Sequence, residues 1–133
     1  MRTNQLVTVW KNKKGLRFIR IELGVYDTWV NAVIGPRKNL QGFVRWNYDR
    51  PSFAEKDDRH HQLGLCLKLS GYAPLIWIPK KPRTRKDLGV LVHECTHAAL
   101  YVAEWIGEPV NPDQSETLAH TISWLMQSIL EHA

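Results

Sequence analysis

His93, Glu94 and His97 stand in the run HECTH, where residue types and spacing can do chemistry. Four residues is close to one helical turn. In a helix both imidazoles therefore leave from one face, one above the other. Two ring nitrogens can then reach one metal ion. Glu94 is turned aside from that line and can reach the outer side of a metal-activated water without ligating. Zinc suits imidazole ligands, keeps an open position in catalytic sites, and lowers the pKa of its water toward about 7. A carboxylate beside that position can take the water's proton and pass it to a leaving group. Zinc is therefore the expected cofactor, and Glu94 the expected general base.

Two imidazoles do not complete a zinc site. Beyond the motif the candidates are Glu116, His120 and His132. Glu116 and His120 are again one turn apart. Their face also carries Ser123 and Gln127, opposite Leu118 and Ile122. Antiparallel packing on the HECTH helix would bring Glu116 toward His97, with His120 nearer His93 or just beyond the metal. Glu116 is the preferred third ligand and His120 the other candidate. The one that does not bind would orient a ligand or steady an oxyanion. Tyr101, four residues after His97, could line the same cleft. His60 and His61 follow Asp57 and Asp58 in a charged loop. Adjacent ligands on a loop are poorly preorganised, so they read as solvated surface.

Holding these groups takes two helices. Thr84 with Asp87 three residues on has the form of a capping box, and Gly107 is a natural C′ residue. The spacing predicts a helix over 85–106 with Leu88, Leu91, Cys95, Ala98, Val102 and Trp105 as its apolar stripe. Asn111, Pro112, Asp113 and Gln114 give a second start signal. The helix it opens runs to about Leu130. Ahead of the helices the period is two. Residues 16–23, 29–34, 42–46, 63–69 and 75–78 are the expected strands, with Gly35-Pro36 and Pro79 as stops. Residues 47–61 read as a loop or short irregular helix. The expected fold is α+β: a small twisted sheet followed by two packed helices carrying the metal site, in one domain over 1–133.

The chain has 133 residues, 44% of them hydrophobic, which is enough for one core and excludes global disorder. Cys66 and Cys95 read as reduced core residues. No apolar run reaches membrane-spanning length and no signal segment is visible, so a soluble, cytoplasmic protein without a membrane partner is expected. All 18 Lys and Arg lie at or before Lys86. That part carries +12, and the remainder, from Asp87 on, carries −7. The stretch from Lys80 to Lys86, with Lys11, Lys13, Lys14, Arg37 and Lys38, could form a phosphate-binding face, which makes nucleic acid a possible partner.

HECTH followed by a second helix with QSETLAH resembles the zincin metallopeptidases in their gluzincin arrangement. That resemblance implies His93 and His97 as ligands, Glu94 as general base and Glu116 as the glutamate ligand. His120 stands where the larger enzymes often have an aspartate. The tail VHECTHAALYVAEWIGEPVNPDQSETLAHTISWLM also resembles small HExxH proteins of bacteriophages and prophages. The likeness covers roughly residues 75–129. It implies a minimal zincin-like fold, a bacterial host cell as location, and hydrolysis of a peptide or protein substrate. It also implies a strand beside the cleft on which an extended peptide can add, either 63–69 or 75–78. Two rival readings share the motif: zinc held for stability or for a partner, and hydrolysis of an ester or a cell-wall amide.

Overall fold

The computed structural model describes residues 6–48, 63–68 and 73–133. The fold is α+β: five strands form one sheet, and helices cover it on both faces. Strand β1 (Val7–Lys13) and strand β2 (Leu16–Leu23) are an antiparallel hairpin. Lys14 and Gly15, both at positive φ, form its two-residue turn. Such a turn matches the twist of paired strands. Strand β3 (Thr28–Ile34) pairs antiparallel with β2. Strand β5 (Leu75–Ile78) pairs parallel with β3, and strand β4 (Leu65–Leu67) pairs antiparallel with β5. The order across the sheet is β1-β2-β3-β5-β4.

The expected strands at 16–23, 29–34 and 75–78 are present within a residue. Strand β1 was not anticipated, although Val7 and Val9 alternate with Thr8 and Trp10 ahead of a turn. The expected strand over 42–46 is instead part of helix α1 (Leu40–Tyr48). Its reason is the spacing of Leu40, Phe43 and Val44, which are fully buried at i, i+3 and i+4. Short apolar runs read both ways until something packs on them. Here α1 lies on Phe18, Val33, Leu75 and Trp77. The expected strand over 63–69 is ladder-paired only at 65–67. Most of the 47–61 segment, His60 and His61 included, lies outside the described residues.

Helix α2 (Arg85–Ile106) has the expected bounds. The Thr84 hydroxyl accepts from the Asp87 N–H, and the Asp87 carboxylate accepts from the Arg83 and Thr84 N–H groups. Those bonds, that from Arg83 first, hold the Asp87 carboxyl below the usual range. Gly107 closes the helix in the left-handed region. Helix α3 (Glu116–His132) starts later than expected. The Asn111 side chain accepts from Asp113 N–H at 2.9 Å, and the Asn111 carbonyl accepts from Gln114 N–H. The same residues that could cap a helix thus close a separate turn. The helix opens at Ser115, which places Glu116 in its first turn.

Alternation sorts the two layers. Ile19, Ile21, Leu23, Val30, Ala32, Ile76 and Ile78 face Leu91, Cys95, Ala98 and Val102 of α2 and Leu125 and Ile129 of α3. Cys66 packs at the margin of that cluster; both cysteines are free. Burial pushes the Cys95 thiol up to about 12 and raises the Cys66 thiol as well. Inert core thiols are the result. Among the described residues no helix is long and apolar enough to cross a membrane. Gly89 sits in α2 with open space where a Cβ would be. Gly89→Ala is expected to raise stability by about 0.5–1 kcal/mol, read from the urea midpoint. A lowered midpoint would show that something packs against this turn.

Candidate metal centre

Helix α2 presents three kinds of face. Leu91, Cys95, Ala98 and Val102 point into the core, so residues half a turn away must face out. His93 and His97 do, and both rings are exposed. Their Nε2 atoms are 3.2 Å apart, and the rings meet edge to face with centroids 4.7 Å apart. One neutral ring can donate to the other across that gap; two protonated rings cannot. A tetrahedral zinc ion with bonds of about 2.05 Å needs two ligand nitrogens about 3.3 Å apart. The pair as it stands therefore fits one such ion.

Glu94 is turned aside from the pair, toward the start of β4. It is 7% exposed, and burial pushes its carboxyl above the usual range, with the neighbouring His93 working against that rise. What it packs on is backbone. A Cβ placed on Gly64 would stand 3.2 Å from Glu94 Cγ, 3.3 Å from its Oε2 and 2.5 Å from Val90 Cγ1. Sequence reasoning passed over Gly64. The signal was there: a glycine inside a strand pattern often marks close backbone approach.

Tyr101 stands one turn past His97, with the rings roughly parallel and centroids 6.4 Å apart. The ammonium of Lys68 lies 5.3 Å from the Tyr101 ring centroid and pairs with the Glu104 carboxylate. Lys68 is a second residue the sequence did not single out. Gly64 meets Val90 and Glu94, and Lys68 meets Tyr101 and Glu104, so β4 runs alongside α2 in the same direction. β4 is also the outermost strand, whereas β5 is interior. Beside the histidine pair, then, lies a sheet edge with no further strand partner among the described residues.

The packing of α3 is antiparallel to α2. Arg17 Nε, at the start of β2, donates to the carbonyl of His132, while Trp124 Nε1 donates to Glu22 near the strand's end. Helix α3 therefore runs against β2. Strands β2 and β4 share a direction, which is also that of α2. The start of α3 consequently lies toward the later part of α2. Glu116 and His120 face out there and pair with each other at 3.2 Å. The structure does not bring them together with His93 and His97. Among the described residues no three His, Cys, Asp or Glu side chains are gathered as a metal would need. His132 is used elsewhere, its Nδ1 lying 2.8 Å from the Ser128 carbonyl.

No family model, curated protein or solved structure matches this chain.

Proposed function

We propose that the chain is a small zinc-dependent hydrolase cleaving peptide bonds. The observation that carries this reading is the 3.2 Å convergence of His93 and His97 Nε2 beside the buried Glu94 carboxylate. His93 and His97 supply two ligands. Glu116 would supply the third; it is exposed and acidic, opens the neighbouring antiparallel helix, and pairs with His120 in this structure. Bound zinc supplies an acidified water and a Lewis acid for the scissile carbonyl.

The chain's own groups do the rest. Glu94 accepts a proton at its carboxylate and returns it to the leaving amine. Its burial favours this work, because a carboxylate kept from bulk water is a stronger base. The edge of β4, outermost among the described strands, receives the substrate backbone as one more strand, which is tolerant of side-chain sequence. Tyr101, or His120 once released from Glu116, donates to the developing oxyanion.

Metal analysis tests the reading at its base. Protein purified without added metal should carry about one zinc per chain, and His97→Ala should carry far less, because a two-ligand remnant binds weakly. Zinc content near zero in the wild type, or unchanged in His97→Ala, would remove the proposal.

A further inference from the structure

The sheet topology gathers cations that are far apart in sequence. The β1–β2 hairpin carries Lys13 and Lys14. The turn after β3 carries Arg37 and Lys38 and is tied to that hairpin, since Asn39 Nδ2 donates to the Gly15 carbonyl at 3.1 Å. Strand β5 runs parallel to β3 and ends beside it: Gly35 N–H donates to the Ile78 carbonyl, and Trp77 Nε1 to the Gly35 carbonyl. The exposed Lys80, Lys81 and Arg83 follow at once. Helix α2, antiparallel to β5, starts at the same end with Arg85 and Lys86. Three chain segments and a helix start thus converge on one pole.

Negative charge lies at the opposite pole. Glu22, Asp27, Glu104, Glu108, Asp113 and Glu116 sit where β2 ends, β3 begins, α2 ends and α3 begins. Among the described residues the acids on the side of the basic pole are Asp87, Glu131 and the buried Glu94, which packs on Gly64 where β4 starts. Asp87 is already engaged by two backbone N–H groups and by Lys80 at 3.8 Å. Among the described residues, bases and acids are thereby largely separated along the sheet direction.

We infer that the basic pole binds the phosphate backbone of nucleic acid, without reading sequence. Four adjacent strand ends at about 4.8 Å spacing make a band about 15 Å wide. One strand of a duplex carries a phosphate per about 3.4 Å of axis, so the band spans about four. A lipid surface fits less well. Membrane binding combines charge with inserted apolar side chains. Among the described residues the most exposed large apolar side chain, Trp105 at 75%, stands at the opposite end of α2. Trp10 is near the basic pole, but its ring packs on Phe18 and under the Lys13 ammonium. His93 is eight residues into α2, about 12 Å from its start. Bound nucleic acid would therefore lie next to the histidine pair and leave it open.

The test is fluorescence anisotropy of a labelled DNA duplex of about 25 base pairs, titrated with the full chain across a salt series. For four phosphate contacts the log–log salt slope is about −3.6, a loss of about 150-fold between about 50 and 200 mM salt. The triple variant Lys81→Gln, Arg83→Gln, Arg85→Gln should flatten the slope to about −1. These side chains are exposed, and circular dichroism should show the fold intact. The double variant His93→Ala, His97→Ala should bind DNA as the wild type does, which separates this surface from the metal reading. Absence of binding at about 50 mM salt, an unchanged slope in the triple variant, or loss of binding in the histidine variant would each overturn the inference. So would tighter binding to vesicles of phosphatidylglycerol and phosphatidylcholine than to the duplex.

Discussion

Glu94→Gln should lower peptide hydrolysis by about 10³-fold or more while bound zinc stays near one per chain. The substitution changes one atom. Gln has the volume of Glu, so it still fills the space against Gly64 and Val90. It lies outside the converging line of His93 and His97 and removes no ligand nitrogen. What it removes is the site that accepts the water's proton. Stability should not fall, because burial penalises a charged carboxylate at this position and a neutral amide avoids that penalty. Activity loss with an unchanged or raised unfolding midpoint therefore points to chemistry rather than to collapse of the fold. The measurement is turnover of a quenched fluorescent peptide library beside zinc content and a urea melt of the same preparations. Wild-type turnover in the Gln variant would take the general base away from Glu94.

The helix that carries the candidate site was legible from sequence because several local signals agree there. Thr84 and Asp87 fix its start, Gly107 its end, and Leu91, Cys95, Ala98 and Val102 its buried side, whereas Leu88 and Trp105, expected on the same stripe, are exposed beyond the reach of the sheet and α3. Once that face is buried, the outward position of His93 and His97 follows from geometry alone. Two errors came from segments whose local signals are shared by different structures. The 42–46 run is apolar enough for a strand, yet Leu40, Phe43 and Val44 bury as a helix on Trp77 and Phe18. Asn111 to Gln114 has the letters of a helix cap, but a closed turn satisfies the same groups. In both places tertiary contact, or an equal local alternative, decides.

The site itself was legible only along one helix. The i, i+4 spacing fixes the two histidines relative to each other, but nothing in a helical period says what lies against Glu94. That neighbour is Gly64, thirty positions earlier in chain order and set there by the β4–β5 pairing. Lys68 reaches Tyr101 and Glu104 for the same reason. The edge position of β4 likewise depends on strand order, which alternation cannot supply. Charge behaved in the same way. Along the chain all Lys and Arg precede Asp87, but only the strand directions show that the described bases and acids gather largely at opposite ends of the sheet.

Gly64→Ala should be the most damaging small change outside the motif. The added methyl would stand 2.5 Å from Val90 Cγ1, closer than carbon atoms tolerate. Valine in a helix has one strongly preferred rotamer, so Val90 cannot swing aside cheaply. The remaining relief is to move β4 off α2 or to push Glu94 away, since its Cγ is 3.2 Å from the same methyl. Overpacking of this kind costs about 1–3 kcal/mol. A carboxylate displaced by about 1 Å from its working position can cost about 10²-fold in rate. The expected result is a lowered urea midpoint together with that loss of turnover, at unchanged zinc content. Adding Val90→Ala removes the atom that is struck. The double variant should therefore recover more stability than the separate effects of the two changes allow, a coupling that contacting residues show and distant ones do not. Strict additivity of the two substitutions would mean that Gly64 and Val90 do not touch, and that something other than this close approach holds Glu94 in place.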